Sequence, residues 1–321
     1  MVSEKNCLSM AEFLNLEEKR PIVALLGYFD GVHLGHKALI SEAKRLALEL
    51  NASVVVWSFD TLPKGSLITP PPLRAKRLVE YGVDTVILDS FDRVRNMSAE
   101  DFVSKLLVGT LGAVGCVSGY NYHFGKGGSA DSSKLFELCL ENRIICKTVC
   151  EVFADLDLGR VTVSSTLIKQ LISEGKMQEA YSLMGHHFVT FGEVIHGRKV
   201  GRAMGLPTVN QLPHEASVLP PDGVYATYCM IDGKIYPAVT NIGSRPTFEG
   251  DGQRLFETHI IGFDGNLYGK NLSIGYIERI RGEIKFDSPE ELSKKAKKDV
   301  EEAVLCFEGH KEKLSMPSLD I

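Results

Sequence analysis

The chain has no apolar run approaching the length of a membrane span, which excludes a spanning helix. Its N-terminal stretch, with Glu4, Lys5, Glu12, Glu17, Glu18, Lys19 and Arg20, lacks the apolar centre of a signal peptide. Basic residues are not in excess. Lys and Arg number 36 against 41 Asp and Glu, a formal net charge of −5, so no nucleic-acid partner is expected. No Cys-x-x-Cys pair occurs, and seven cysteines is an odd number. A disulfide frame is therefore not expected, and Cys139, Cys146 and Cys150 read as buried thiols in a reducing compartment. Internal repeats are lacking. The single low-complexity piece, Pro70-Pro71-Pro72, predicts an extended, exposed segment. What is left predicts a cytoplasmic globular enzyme: 44% hydrophobic, 24% charged and, at 321 residues, long enough for two ordinary domains.

The first half alternates strand and helix. Apolar runs predict strands at Ile22–Leu26, Val54–Phe59, Val83–Leu88, Val114–Ser118 and Ile144–Val149. Between them fall helical patterns at Lys37–Leu50, Arg74–Tyr81, Ala99–Val108 (capped by Ser98) and from Ser132 or Ser133 to about Asn142. That order implies a parallel sheet with helices on both faces and ligands at the carboxyl ends of its strands. Two short helical pieces broken at Gly175 lead to a boundary near residues 185–186. Beyond it the pattern changes to short alternating strands. Asp232-Gly233 is a type I′-compatible turn, Asp264-Gly265 a second, and Ser288-Pro289 opens a closing helix to about Glu308. An antiparallel β-barrel fits. The fold class is thus α/β for residues 1–185, followed by all-β with a C-terminal helix for 186–321.

The stretch Gly27-Tyr28-Phe29-Asp30-Gly31-Val32-His33-Leu34-Gly35-His36 joins the first strand to a helix. Free N–H groups and the positive end of the helix dipole make such a place receptive to phosphate. Gly27 and Gly31 allow backbone to approach a ligand, and His33 and His36, one helical turn apart, can face the same anion. Surface histidines and a His-x-x-His zinc pair are the alternatives, the latter short of a further ligand. Ser164, Ser165 and Thr166 offer hydroxyls at another helix start, with Lys169 one turn in. In Gly119-Tyr120-Asn121-Tyr122-His123-Phe124-Gly125 the aromatics could stack on a flat ring or face the core, and Asn121 can donate and accept.

In the second half, Gly197, Gly201 and Gly205 recur every four residues among Arg198, Lys199 and Arg202. A flexible backbone carrying cations suits a polyphosphate, although no Walker A loop is present. Thr208 and Asn210, two apart on a strand, share a face and offer hard oxygens fit for Mg²⁺.

The first motif resembles the Gly-x-Phe-Asp-Gly-x-His-x-Gly-His signature of nucleotidyltransferases. More narrowly it is similar to the adenylyltransferase half of the bacterial bifunctional riboflavin kinase/FMN adenylyltransferase (FAD synthetase) family. Val163-Ser164-Ser165-Thr166-Leu167-Ile168-Lys169 resembles that family's Ile-Ser-Ser-Thr-x-x-Arg motif, and the loop 119–125 its aromatic loop. Pro207-Thr208-Val209-Asn210 is similar to the kinase signature Gly-x-Pro-Thr-x-Asn. Leu219 to Ala226, Asn241 to Phe248 and Phe256-Glu257-Thr258-His259 match three further segments.

The resemblance implies a Rossmann-like nucleotidyltransferase domain and a riboflavin kinase barrel. Together they would convert riboflavin to FMN and FMN to FAD, with ATP as co-substrate and Mg²⁺ as cofactor. It implies His33 and His36 on the ATP phosphates, and Gly27, Phe29, Asp30, Gly31, Gly35, Asn121, Ser164, Thr166 and Lys169 around the nucleotide. In the kinase it implies Gly197, Lys199, Gly201, Arg202 and Gly205 around ATP and Thr208 and Asn210 on the metal. Asn121 in the first half and Arg245 in the second are implied as flavin contacts. Glu257 is implied as general base. Two departures stand out. Leu62 occupies the place of a family histidine and cannot donate to phosphate, and Lys169 replaces an arginine and its bidentate fork. Leu62 motivates one rival, a riboflavin kinase with an impaired adenylyltransferase half. A second rival, of another class, is a non-catalytic flavin-nucleotide sensor.

Overall fold

The computed structural model describes residues 6–16, 20–60, 65–157, 159–197, 205–214, 216–244 and 254–316. The chain forms two compact units. The first comprises residues 1–66 and 71–164, the second 67–70 and 165–321.

The first unit holds a six-stranded parallel sheet. Its strands are β1 (Cys7–Ser9), β2 (Ile22–Leu26), β3 (Ser53–Phe59), β4 (Thr85–Asp89), β5 (Ala113–Gly119) and β6 (Ile145–Val149), in spatial order β1-β4-β3-β2-β5-β6. β2 is central and buried on both faces. Ile22, Ala24 and Leu26 pack with Phe102, Leu106 and Leu135 on one side. Val23 and Leu25 pack with Leu39, Ala43, Leu46 and Leu78 on the other. The period of two therefore sends alternate side chains into two cores, as helices on both faces require. Each of the larger of these side chains contributes roughly 1.5–3 kcal/mol.

Several local expectations are corrected. Pro71 and Pro72 are not extended but open the helix Pro71–Glu80. Proline lacks an N–H that the first helical turn leaves unused, and its φ is already helical. The helix Ser132–Glu141 is capped by Asp131, whose carboxylate accepts from the Lys134 N–H at 2.9 Å, not by either serine. Cys139 and Cys146 are buried, but Cys150 is exposed, just past the end of edge strand β6. Ser98 does cap its helix, which runs on as a π-helix over Phe102–Thr110. The sequence pattern did not suggest β1 or the small antiparallel hairpin of β7 (Phe153–Leu156) and β8 (Gly159–Thr162).

The second unit contains a closed antiparallel barrel. Its strands are β9 (Phe188–Ile195), β10 (Thr208–Gln211), β11 (Gly223–Ile231), β12 (Lys234–Ser244), β13 (Arg254–Ile260) and β14 (Asn271–Arg281), in order β10-β13-β12-β11-β14-β9. Asp232 and Gly233 both take positive φ (50° and 75°), the type I′ turn that matches strand twist. Asp264-Gly265 is not a second hairpin turn, because β13 ends at Ile260 and β14 begins only at Asn271. A buried hydroxyl row, Thr227–Thr240–Thr258 at 2.9 Å per step, ties three strands together. The helix Pro289–His310, capped by Ser288, packs on β11, β12 and β14. Two helices, Ser165–Ser173 and Met177–Met184, complete this unit.

Candidate active sites

In the first unit β2 delivers the chain to a strained turn at the carboxyl edge of the sheet. Phe29 (φ 55°) and Val32 (φ 38°) sit in the left-handed region, which costs a non-glycine residue about 1–2 kcal/mol. Both side chains are fully buried, and that burial holds the turn in place. His33 then caps the helix Leu34–Leu50. Its Nδ1 accepts from the His36 N–H at 3.4 Å, and His36 Nδ1 accepts from the His33 N–H at 3.3 Å. The two rings stack at 3.7 Å between centroids, and Phe29 packs on His36 at 5.0 Å.

This reciprocal cap fixes the tautomer. Because each Nδ1 accepts, each neutral ring carries its proton on Nε2 and offers Nε2–H as its donor. Burial pushes His33 down to about 4. His36 lies well below its ordinary value through burial, then the neighbouring His33 and Arg74. Two neutral donors thus stand at a helix N-terminus, where four backbone N–H groups lack helical partners. A Cβ on Gly35 would come within 3.1 Å of the His33 ring and 4.0 Å of the Val163 carbonyl. The segment preceding Ser164 therefore runs beside the turn. Asp30 is buried at the turn, and the Ser58 hydroxyl donates to the Tyr28 carbonyl at 3.1 Å.

In the aromatic loop, Phe124 is buried against Phe102, and Tyr122 stacks on Phe124 at 5.9 Å. Those two rings face the core, whereas Tyr120 is 45% exposed. Asn121 is exposed, and its carbonyl accepts from His123 Nδ1 at 3.0 Å. Thr166 and Lys169 lie one turn apart on the helix Ser165–Ser173 of the second unit.

In the second unit, β10 pairs with β13 so that Asn210 stands opposite Glu257 and Thr208 opposite His259. On the other side of β13, Asn241 of β12 also stands opposite Glu257. Thr208, Asn210, Asn241 and Glu257 line one cavity of about 740 Å³, together with apolar Val224, Val239, Ile284 and Phe286. Asn210 is 4% exposed, and its Oδ1 accepts no hydrogen bond. A Cβ on Gly197 would fall 2.0 Å from Asn210 Nδ2, so a larger residue there would have to displace the Asn210 side chain or the strand. Gly205 takes φ 72° in a turn shortly before β10. Leu62, Lys199, Gly201, Arg202 and Arg245 lie outside the described residues.

The cavity wall also contains Arg281 and Asp299, which no motif singled out. Arg281 donates to Asp299 through Nε and Nη2 at 2.8–3.2 Å, and Lys295 adds a 2.7 Å contact. Arg74, fully buried behind the first unit's turn, was equally unmarked. A charge on an amphipathic helix or at a strand end ordinarily reads as solvated, and no sequence signal distinguishes these.

Fold and sites together define a two-unit transferase: a doubly wound sheet with an anion-receptive turn, and a barrel with an oxygen-lined cavity. The family models agree unit by unit. Residues 15–167 match the FAD synthetase family and residues 184–307 the riboflavin kinase family. The chain is 33% identical to the bifunctional riboflavin kinase/FMN adenylyltransferase of Bacillus subtilis, over 91% of this chain and 94% of that protein. It is 34% identical to that of Escherichia coli K12, over 86% and 90%. The chain belongs to the bifunctional riboflavin kinase/FMN adenylyltransferase family. A solved structure described as a macrolide-efflux protein from Streptococcus pneumoniae superposes with a TM-score of 0.80 at 28% identity, covering 93% of this chain and 99% of that one. Among the described residues here no helix is long and apolar enough to cross a membrane.

Proposed function

We propose that this chain makes FMN and FAD in two ATP-dependent steps, with the adenylyltransferase in residues 1–185 and the riboflavin kinase in 186–321. The observation that carries the reading is the row Thr208, Asn210 and Glu257 in one cavity, in a chain whose other unit has the capped His33/His36 turn.

In the kinase step, the Glu257 carboxylate takes the proton of the riboflavin 5′-hydroxyl as that oxygen attacks the γ-phosphorus and ADP leaves. The apolar residues of the cavity suit a flavin ring, and Arg245 is assigned to a flavin contact. Gly197, Lys199, Gly201, Arg202 and Gly205 are assigned to the ATP phosphates. Mg²⁺ fits this site: Asn210 Oδ1 is a buried carbonyl oxygen with no donor, beside a threonine hydroxyl on the same face of β10. Thr208 and Asn210 would hold the ion, which supplies charge neutralisation for the phosphates.

In the adenylyl step, a phosphate oxygen of FMN attacks the α-phosphorus of ATP, and the bond to the bridging oxygen of pyrophosphate breaks. His33 and His36 donate Nε2–H to the oxygens on which charge grows, with the helix N-terminus behind them. Gly27, Phe29, Asp30, Gly31 and Gly35 shape that turn. Asn121, Ser164, Thr166 and Lys169 are assigned to nucleotide and flavin contacts. We place the enzyme in the cytoplasm, acting on small molecules.

The test is incubation of the purified chain with riboflavin, ATP and Mg²⁺, with FMN and FAD quantified separately. Both products are expected in sequence. FMN without FAD would leave only the kinase; neither product would remove the reading altogether.

A further inference from the structure

Arg74 stands on the helix Pro71–Glu80 with no exposed surface. Its Nη2 donates to the carbonyl of Phe59, at the carboxyl end of β3. Its Nε and Nη1 have no hydrogen-bond acceptor. Among the described residues no carboxylate oxygen lies within ion-pair distance of it. Asp30, Asp60 and Tyr28 lie close enough to act on its charge, and its charge in turn reaches His36. The Tyr28 hydroxyl, also buried, lacks a partner too.

This arrangement is costly. Each buried N–H left without an acceptor costs about 1–3 kcal/mol, and an unpaired buried cation costs more. A native fold that keeps such a group calls for an explanation. The adjacent turn supplies one. His33 and His36 are neutral, so the turn that is to hold a triphosphate has donors but no formal positive charge of its own. Leu62, in the segment after β3, cannot donate to a phosphate. Arg74 puts a permanent cation behind that strand end, in a low-dielectric setting where its field is weakly screened.

We propose that Arg74 is a positioning residue for adenylyl transfer, the buried cation that draws a polyphosphate onto the His33/His36 turn. This rests on the adenylyltransferase reading above. Asp30 and Asp60 act on its charge from beyond ion-pair distance, and its hold on Phe59 fixes it relative to β3. The ligand class is a nucleoside triphosphate or its pyrophosphate leaving group.

The experiment compares wild type with Arg74→Met and Arg74→Lys in the full chain, assaying FAD from FMN and FMN from riboflavin separately. Arg74→Met is expected to lose on the order of 100-fold in kcat/KM for FAD formation, while FMN formation stays within twofold. Arg74→Lys keeps the charge and is expected to recover at least tenfold of that loss. FAD formation by Arg74→Met within threefold of wild type overturns the inference. So does Arg74→Lys being no better than Arg74→Met, or loss of both activities together, because each marks a merely structural role. If the wild-type chain forms no FAD, the reading of the first unit fails, and the inference is decided by binding. Inorganic pyrophosphate is titrated calorimetrically, with His36→Ala as the blank. Binding weakened at least tenfold in Arg74→Met supports it; equal binding overturns it.

Discussion

Asn210 and Glu257 face each other directly across the β10–β13 ladder. A carbonyl oxygen that lacks a donor and a carboxylate thus share one wall of the barrel cavity. The pairing would keep apart the two roles proposed for it: a ligand for the metal at the phosphates and a base for the attacking hydroxyl. Replacing Glu257 by Gln keeps the shape and removes the carboxylate proposed as base. FMN formation is expected to fall about 10²–10⁴-fold, with FAD formation from supplied FMN unchanged. Parallel assays of both products check this, and equal loss of both would contradict separate sites.

Gly197→Ala probes the same wall from behind. The added Cβ would lie 2.0 Å from Asn210 Nδ2, well inside van der Waals contact, so either the strand or the amide must move. Overpacking of this kind costs about 1–3 kcal/mol. The expected outcome is a raised Mg²⁺ requirement for FMN formation, read from activity against Mg²⁺ concentration. An unchanged Mg²⁺ curve would show that Asn210 does not hold the ion.

The first of these relationships marks where the sequence was sufficient and where it was not. Thr208 and Asn210 share a face because strands repeat every two residues, which is local information. The strand–turn–helix around His33 was also legible, since glycine, apolar period and histidine spacing all lie within it. The opposition of Asn210 to Glu257 depends on strand register, which turns and barrel closure decide. Pro71 and Pro72 fit both an extended segment and a first helical turn, and tertiary packing chose the helix. Arg74 shows the limit most clearly. Nothing in its helical pattern reveals that the side chain is buried without an ion pair.

The His33/His36 cap predicts an asymmetric effect on the two activities. His36→Ala removes one Nε2–H donor and half of the reciprocal cap. FAD formation is expected to drop by about 10²–10³-fold, and the first unit to lose roughly 1 kcal/mol. FMN formation is expected to stay at wild-type level. Unchanged FAD synthesis in this variant would count heavily against the turn as the adenylyl site.

The same cap makes stability depend on pH in a defined direction. His33 titrates near 4 when folded against an ordinary value of 6.5. Between those values the unfolded chain binds a proton that the folded chain refuses, so stability rises with pH across that window. His33 contributes its full share above pH 6.5, and the share is lost as pH falls toward 4. The buried ring makes this roughly 3 kcal/mol. His33→Asn retains a capping side chain without the titration. Urea midpoints for both proteins at pH 7.5, 5.5 and 4.5 should show the wild type losing more on acidification. Parallel curves would place the His33 ring in water.

The ion pair behind the cavity allows a prediction of a different kind. Asp299 is 3% exposed and accepts from both Arg281 and Lys295. Arg281 also lines the cavity and leads into Glu283, Ile284, Lys285 and Phe286 on its rim. Asp299→Ala leaves Arg281 and Lys295 without the buried carboxylate that pairs them. The full cost of such a break is about 3–5 kcal/mol, reduced here because Lys295 keeps 31% of its side-chain surface in water. The second unit is expected to lose roughly 2–3 kcal/mol. Because Arg281 and the rim lose their anchor while Glu257 keeps its place on β13, riboflavin KM should rise several-fold with kcat nearly unchanged. Urea melts and kinase kinetics on the same preparation check both halves. A fall in kcat at constant KM would place Asp299 in the chemistry rather than in the support of the cavity wall.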